Sequence, residues 1–208
     1  MNKKSWQKSI LTFGIVCLFF SCGGGGNKNN QNGLDDRVLL TAKEALVLAE
    51  PLAKNTLPNG ILSFIMCILY SPDNFNGVCN EWFFTFTDQT ANLCTTVLVY
   101  PDYQKASDPI TEKCPYSEGC PAGAIPEEWI DSDEAAKISL ENGADKENLC
   151  CGQISLWGTT IYPEDDPMTS ENESKYFSWL IQYTNDDVSI SHIYYVSTDG
   201  KFLGKDLD

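Results

Sequence analysis

Two tryptophans 97 positions apart, Trp82 and Trp179, stand in the same place of a repeated pattern, and that repetition narrows the possible folds of this 208-residue chain. Ahead of them, Thr41-Ala42-Lys43-Glu44 and Asp131-Ser132-Asp133-Glu134 each set a capping residue three positions before a Glu, the arrangement that satisfies free amides at a helix start. The first predicted helix continues through Ala45, Leu46, Leu48 and Ala49 toward Leu52, with Pro51 predicting a kink or an early end. The second runs through Ala135, Ile138 and Leu140 and stops at Asn142-Gly143. Strand-like runs follow each helix: 61–70, 82–87 and 95–100 in the first half, 153–162, 176–184 and 189–197 in the second. Residues 82–102 align without a gap onto 179–199. Phe86 meets Tyr183, Thr87 meets Thr184, Asp88 meets Asn185, Leu93 meets Ile190, Val99 meets Val196 and Asp102 meets Asp199. Four identities in those 21 positions carry little alone; joined to the same order of capped helix, Trp strand and hairpin, they read as a duplicated unit.

A helix followed by antiparallel strands implies an α+β layer with the sheet wrapped over the helix. The expected organisation is two similar small units, each a helix packed on an antiparallel sheet, at residues 37–103 and 129–208. Between them, Pro101, Pro109, Pro115, Pro121 and Pro126 mark residues 104–128 as a linker outside both sheets. Units of about 70 residues bury little surface, so mutual packing or disulfides are expected to support each half.

The first 21 residues have a different character. Lys3, Lys4 and Lys8 form a positive start, Ile10 to Phe20 is an apolar run of 11 residues, and Ser21 places a small residue before Cys22. A bilayer span needs about 20 apolar residues, so the run reads as a removable export signal. Leu18-Phe19-Phe20-Ser21-Cys22 resembles the lipobox of bacterial lipoproteins, although Leu sits one place further from the cysteine than is usual. The resemblance implies cleavage before Cys22 and acylation of that residue, which would attach the chain to a membrane. Residues 22–36 read as a flexible tether, because after Cys22 the stretch 23–33 opens with four glycines and contains no apolar side chain able to repay ordering. By the same resemblance, Gly23 after the cysteine implies delivery to an outer membrane.

After such cleavage the chain carries 11 basic against 29 acidic side chains, a balance of −18. That surface repels nucleic acid and anionic headgroups, and it keeps an envelope protein soluble. Five tryptophans and 42% hydrophobic residues indicate a packed core rather than an acidic tail. Beyond Cys22 lie Cys67, Cys79, Cys94, Cys114, Cys120, Cys150 and Cys151, and export permits disulfides. Cys67 falls within the apolar run 61–70 and reads as a buried free thiol. Cys114 and Cys120 flank the loop Pro115-Tyr116-Ser117-Glu118-Gly119 and are the candidates for one bridge; spacing leaves the other pairings open.

In the second half, Glu134-Ala135-Ala136, Trp179-Leu180-Ile181-Gln182-Tyr183 and the ending Tyr194 to Gly204, with Asp199-Gly200-Lys201, resemble a PepSY-type domain. The first half matches less, because Pro101-Asp102-Tyr103 lacks the glycine. The resemblance implies a final strand carrying the Asp199-Gly200-Lys201 turn and a role in restraining peptidases or contacting envelope proteins. It transfers no catalytic residue.

Chemistry-bearing groups are sparse in pattern. His192 is the one histidine, and alternation with Ile193 predicts that it faces solvent. Neither Cys114 with Cys120 nor the vicinal Cys150-Cys151 has the spacing of a zinc site. Asp131, Asp133 and Glu134 read as charge at a helix start, and Glu164, Asp165 and Asp166 as a solvated loop. The sequence therefore predicts neither metal nor cofactor and no enzyme. It predicts a membrane-anchored envelope protein that binds another protein, with an envelope hydrolase or a structural surface lipoprotein as the alternatives.

Overall fold

The computed structural model describes residues 38–69, 76–101, 105–114, 124–144, 151–160, 175–184 and 191–207. Cys22, the leader and the tether lie outside them, as do Cys120, Cys150 and the acidic run 164–166. Helix α1 spans Ala42–Thr56 and α2 spans Ser132–Glu141. The strands are β1 (Ile61–Leu69), β2 (Trp82–Asp88), β3 (Leu93–Tyr100), β4 (Lys105–Ala106), β5 (Ile110–Lys113), β6 (Cys151–Thr160), β7 (Lys175–Thr184), β8 (Ser191–Ser197) and β9 (Phe202–Leu207). The fold is α+β, as the sequence predicts.

The nine strands among the described residues belong to one antiparallel sheet, ordered β4-β3-β2-β1-β6-β7-β8-β9 with β5 also on β3. The halves are thus joined edge to edge, and residues 36–208 form one compact unit. The junction is β1 against β6. Met66 faces Ser155 at its centre, and Ile65↔Leu156 and Cys67↔Ile154 fall on either side. Pairing within the halves follows one scheme: Trp82↔Val99 through Thr87↔Cys94 becomes Trp179↔Val196 through Thr184↔Ser191, with a constant offset of 97 positions. The segment between the halves corrects one expectation, because residues 105–106 and 110–113 pair with β3 rather than lying outside the sheet. Pro101 and Pro109 fall between strands, where no ladder N–H is required.

Strand alternation sends Ile65, Cys67, Trp82, Phe84, Phe86, Val97 and Val99 from one half, and Ile154, Leu156, Trp179, Ile181, Tyr183, Tyr194 and Val196 from the other, into a single core. The helices cover it with small residues, Ala42, Ala45, Ala49 and Ala53 on α1, and Ser132, Ala135, Ala136 and Ser139 on α2. Spacings of three and four keep these on one face, and short side chains admit the bulky sheet aromatics beneath. Helix α1 continues past Pro51 to Thr56, so the early end that Pro51 suggested does not occur. The carbonyl that Pro51 cannot bond belongs to Val47, a residue 70% exposed, so water can satisfy it.

Each tryptophan anchors the entry to its helix. Trp82 Nε1 donates to the Leu40 carbonyl at 2.9 Å, and Trp179 Nε1 donates to the Ile130 carbonyl at 3.0 Å. Leu40 and Ile130 immediately precede the N-caps Thr41 and Asp131. A buried indole N–H needs such a partner, and the backbone before a helix has a carbonyl free to give. The Asp199-Gly200-Lys201 turn has a packing role: the Ile130 N–H donates to the Thr198 carbonyl at 2.8 Å, and Gly200 lies over the Ile130 and Ile138 side chains. Asp199 bonds Ser197 and pairs with Lys201, whose ammonium holds its carboxyl below the usual range, with Ser197 adding to the effect.

The helix starts meet at a three-way joint. Thr41 and Glu44 form the expected capping box, whereas Asp131 accepts the Ser132 N–H at 2.7 Å and reaches across the halves to the Lys43 N–H at 3.0 Å. Ser132 Oγ accepts the Ala42 N–H at 2.9 Å and donates to the Gly77 carbonyl at 2.6 Å. Gly77, at φ 80°, lies so near α2 that a Cβ would stand 2.2 Å from the Ser132 carbonyl oxygen. Only glycine permits that approach. Lys43 also lies over the Trp129 ring, 5.0 Å from its centre, and Trp129 stacks obliquely on Trp179.

Two residues downstream, Cys79 pairs its backbone with Leu40 and its sulfur with Cys67. This disulfide corrects the expectation that Cys67 is a free thiol. Cys67 does occupy the core, as its apolar setting suggested, but the strand turns it toward Cys79. Among the described cysteines the free thiol is Cys94, which is buried.

Candidate functional site

The register that joins β1 to β2 also builds a cleft at one end of the sheet. Helix α1 ends where the Leu57 N–H bonds the Ala53 carbonyl, and Gly60 turns the chain with its N–H on the Leu57 carbonyl. Lys54 Nζ bonds the Gly60 carbonyl at 2.6 Å and fixes this turn from the helix side. Strand β1 then begins at Ile61, which pairs with Thr87 near the end of β2. The α1–β1 turn is thereby set against the β2–β3 turn.

That second turn is organised by Asp88. Its Oδ1 accepts the Thr90 N–H at 2.9 Å, the Thr90 hydroxyl at 2.6 Å and the Ala91 N–H at 3.1 Å, the pattern by which Asp mimics a backbone turn. Asn92 completes the reversal at φ 53°, a conformation that Asn tolerates better than most residues. The Thr90 hydroxyl, then the Ala91 amide, hold the Asp88 carboxyl below its ordinary pKa, and the Asn59 side chain adds a further hydrogen bond. Asp88 is therefore an anion whose charge is already met by donors.

Asn59, Ile61, Thr87, Asp88, Gln89 and Thr90 line the resulting cleft of about 320 Å³. Its wall is apolar at Ile61, 37% exposed, and its other lining residues carry amide, hydroxyl and carboxylate groups. Thr87 is fully buried and its Oγ1 has no hydrogen-bond partner. Buried hydroxyls are nearly always paired, so this atom is the exception that needs a reason. Sequence reasoning passed over the cleft. Asp88-Gln89-Thr90 is legible as a turn, but nothing local says that Asn59, nearly thirty positions earlier, lies against it.

The residues singled out from sequence are dispersed. His192, half-buried on β8 opposite Tyr183, shares a face with the core residues Tyr194 and Val196, so the expected orientation away from Ile193 holds but that face is the inner one. Asp131 caps a helix and bridges the halves, and Asp133 accepts the Glu134 N–H. Cys114 is disulfide-bonded, and Cys120 lies outside the described residues. Burial chiefly, with Glu112 adding, pushes the Cys94 thiol pKa up. Among the described residues no group of three or more His, Cys, Asp or Glu side chains is placed to hold a metal.

No family model matches the chain, and no curated protein matches it. A crystal structure of a candidate lipoprotein from Clostridium difficile 630 is similar, with a TM-score of 0.48 and 14% identity over 77% of this chain and 90% of that one.

Proposed function

We propose that the chain is a lipid-anchored binding module of the bacterial cell envelope, attached through Cys22 and presenting the folded body of residues 36–208 to a protein partner. The observation that carries the export half is the buried Cys67–Cys79 disulfide, which suits an oxidising compartment and agrees with a leader ending at Cys22. The binding half is supported by the cleft, whose groups are hydrogen-bonding rather than reactive. A general acid or base works with a pKa near the operating pH, whereas the donors around Asp88 hold it lower. By analogy with bacterial lipoproteins Gly23 favours delivery to an outer membrane, and an envelope peptidase is the partner class that the PepSY resemblance suggests.

Two experiments test this reading. Cys22→Ser releases the protein from membranes and ends fatty-acid labelling; labelling that persists removes the anchor. Immobilised, oxidised residues 36–208 capture an envelope protein saturably. A body that retains no envelope protein and slows no envelope peptidase leaves the binding reading without support.

A further inference from the structure

We infer that Asn76 is a site of spontaneous covalent modification, at which attack by the Gly77 nitrogen converts the side-chain amide to aspartate or isoaspartate and loosens the joint between the halves. The inference is independent of the binding reading and concerns the folded body itself. Asparagine followed by glycine is the sequence in which this reaction is least hindered, because the attacking nitrogen belongs to a residue with no side chain. Three such pairs lie among the described residues: Asn59-Gly60, Asn76-Gly77 and Asn142-Gly143. The fold separates them. The Gly60 N–H is held by the Leu57 carbonyl at 2.9 Å, and the Asn59 side chain bonds Asp88. The Gly143 N–H is held by the Leu140 carbonyl at 3.2 Å, and Asn142 Nδ2 donates to the Ile138 carbonyl at 2.8 Å. In both pairs the attacking nitrogen and the amide under attack are tied in place. Among the described residues no hydrogen bond holds the Gly77 N–H or the Asn76 side chain, and Asn76 is exposed to water. A bulkier second residue, which would slow the reaction, is ruled out because the approach of α2 admits only glycine there.

The chemistry needs only water. Hydroxide removes the Gly77 N–H proton, the nitrogen bonds to Asn76 Cγ, and the side-chain nitrogen leaves as ammonia with a proton from water, which returns the hydroxide. The succinimide ring then takes up one water. Opening at one carbonyl leaves aspartate, and opening at the other routes the main chain through Cβ as isoaspartate. Isoaspartate lengthens the backbone by one carbon directly before Gly77, whose carbonyl accepts the Ser132 hydroxyl at 2.6 Å. The site has no slack, since a Cβ on Gly77 would already meet α2 backbone atoms at 2.2 and 2.4 Å. The inserted carbon therefore displaces that carbonyl from Ser132, the side chain that also holds the Ala42 N–H.

The test ages the mature, oxidised chain from residue 22 in mildly alkaline buffer, beside the same chain unfolded in guanidinium chloride, and follows all three pairs by peptide mapping. Replacement of an amide NH2 by OH gives the mass gain, and chromatography separates isoaspartate from aspartate. In the unfolded chain the three pairs react at similar rates. In the folded chain Asn76 is expected to react about tenfold or more faster than Asn59 and Asn142, the factor that giving up a hydrogen bond imposes on those two. Ageing should also lower the melting temperature and speed exchange of the Ala42 amide. Asn76→Ser, which cannot form the ring, should abolish both changes. Asn76 reacting no faster than the other two overturns the inference, and so does an ageing loss that Asn76→Ser retains in full. Isoaspartate at 76 with unchanged melting and Ala42 exchange refutes the loosening of the joint.

Discussion

The Ala42 N–H at the start of one helix ends on the Oγ of Ser132 at the start of the other, 90 positions later, at 2.9 Å. The same Oγ donates to the Gly77 carbonyl at 2.6 Å. One small side chain therefore satisfies a helix end, a loop carbonyl and the contact between the halves. Ser132→Ala strands two buried backbone groups, each costing about 1–3 kcal/mol. Urea unfolding of the mutant is expected to show a loss of about 2–4 kcal/mol on that basis. A loss below about 0.5 kcal/mol, the range of an ordinary surface change, would show that the joint is replaceable.

Gly77 and Gly200 provide a paired comparison. Both have positive φ, 80° and 85°, so alanine at either carries the left-handed strain of about 1–2 kcal/mol. At Gly200 the nearest atom to an added Cβ is the Ile130 Cγ2 at 3.5 Å, an ordinary contact. At Gly77 the neighbours are α2 backbone atoms at 2.2 and 2.4 Å, and they cannot move aside without breaking the joint. Gly77→Ala should thus cost about 3 kcal/mol or more beyond Gly200→Ala, the magnitude of overpacking an unyielding site. Equal melting temperatures for the two mutants would contradict this packing.

Tyr183 makes stability depend on alkaline pH. Burial chiefly, with Tyr194 acting in the same direction and the Ser139 hydrogen bond opposing, pushes its phenol up to about 12. The unfolded chain ionises near the ordinary value of about 10 and the folded chain does so later. Stability is therefore complete below about pH 10 and falls as the pH rises toward 12, by about 2–3 kcal/mol from this residue. Urea midpoints between pH 8 and 12 check the slope, and Tyr183→Phe should flatten it. A wild-type slope that Tyr183→Phe leaves unchanged assigns the effect elsewhere.

The Cys67–Cys79 bridge closes a loop with a sequence separation of 12. Removing a bridge of that span costs about 3 kcal/mol in the chain-entropy account. Because Cys79 also pairs with Leu40, the loss should extend to the start of α1. The double variant Cys67→Ala with Cys79→Ala is expected to melt earlier and to exchange the Leu40 and Ala42 amides faster. Unchanged exchange there would separate the disulfide from the joint.

How far the sequence spoke differs from element to element. The capped start of α1, the Asn142-Gly143 end of α2 and the Trp strands were legible because they rest on contacts within a turn or on period-two alternation. The 97-residue offset was legible for the same reason, and the strand registers obey it. The passage of α1 through Pro51 was not, because it depends on which way the Val47 carbonyl faces once the helix is docked.

The chain by itself determined the order of helix and strands in each half, the apolar faces those strands would bury, and an acidic, cysteine-bearing composition. Only the tertiary structure decided that β1 and β6 join the halves into one sheet, that 105–106 and 110–113 belong to it, that Cys67 pairs with Cys79, and that Thr87 lies in a cleft with Asn59. The reason is one of range. Caps, turns and alternation are fixed by neighbours a few residues apart, whereas strand partners, disulfides and clefts depend on which distant apolar faces are buried together.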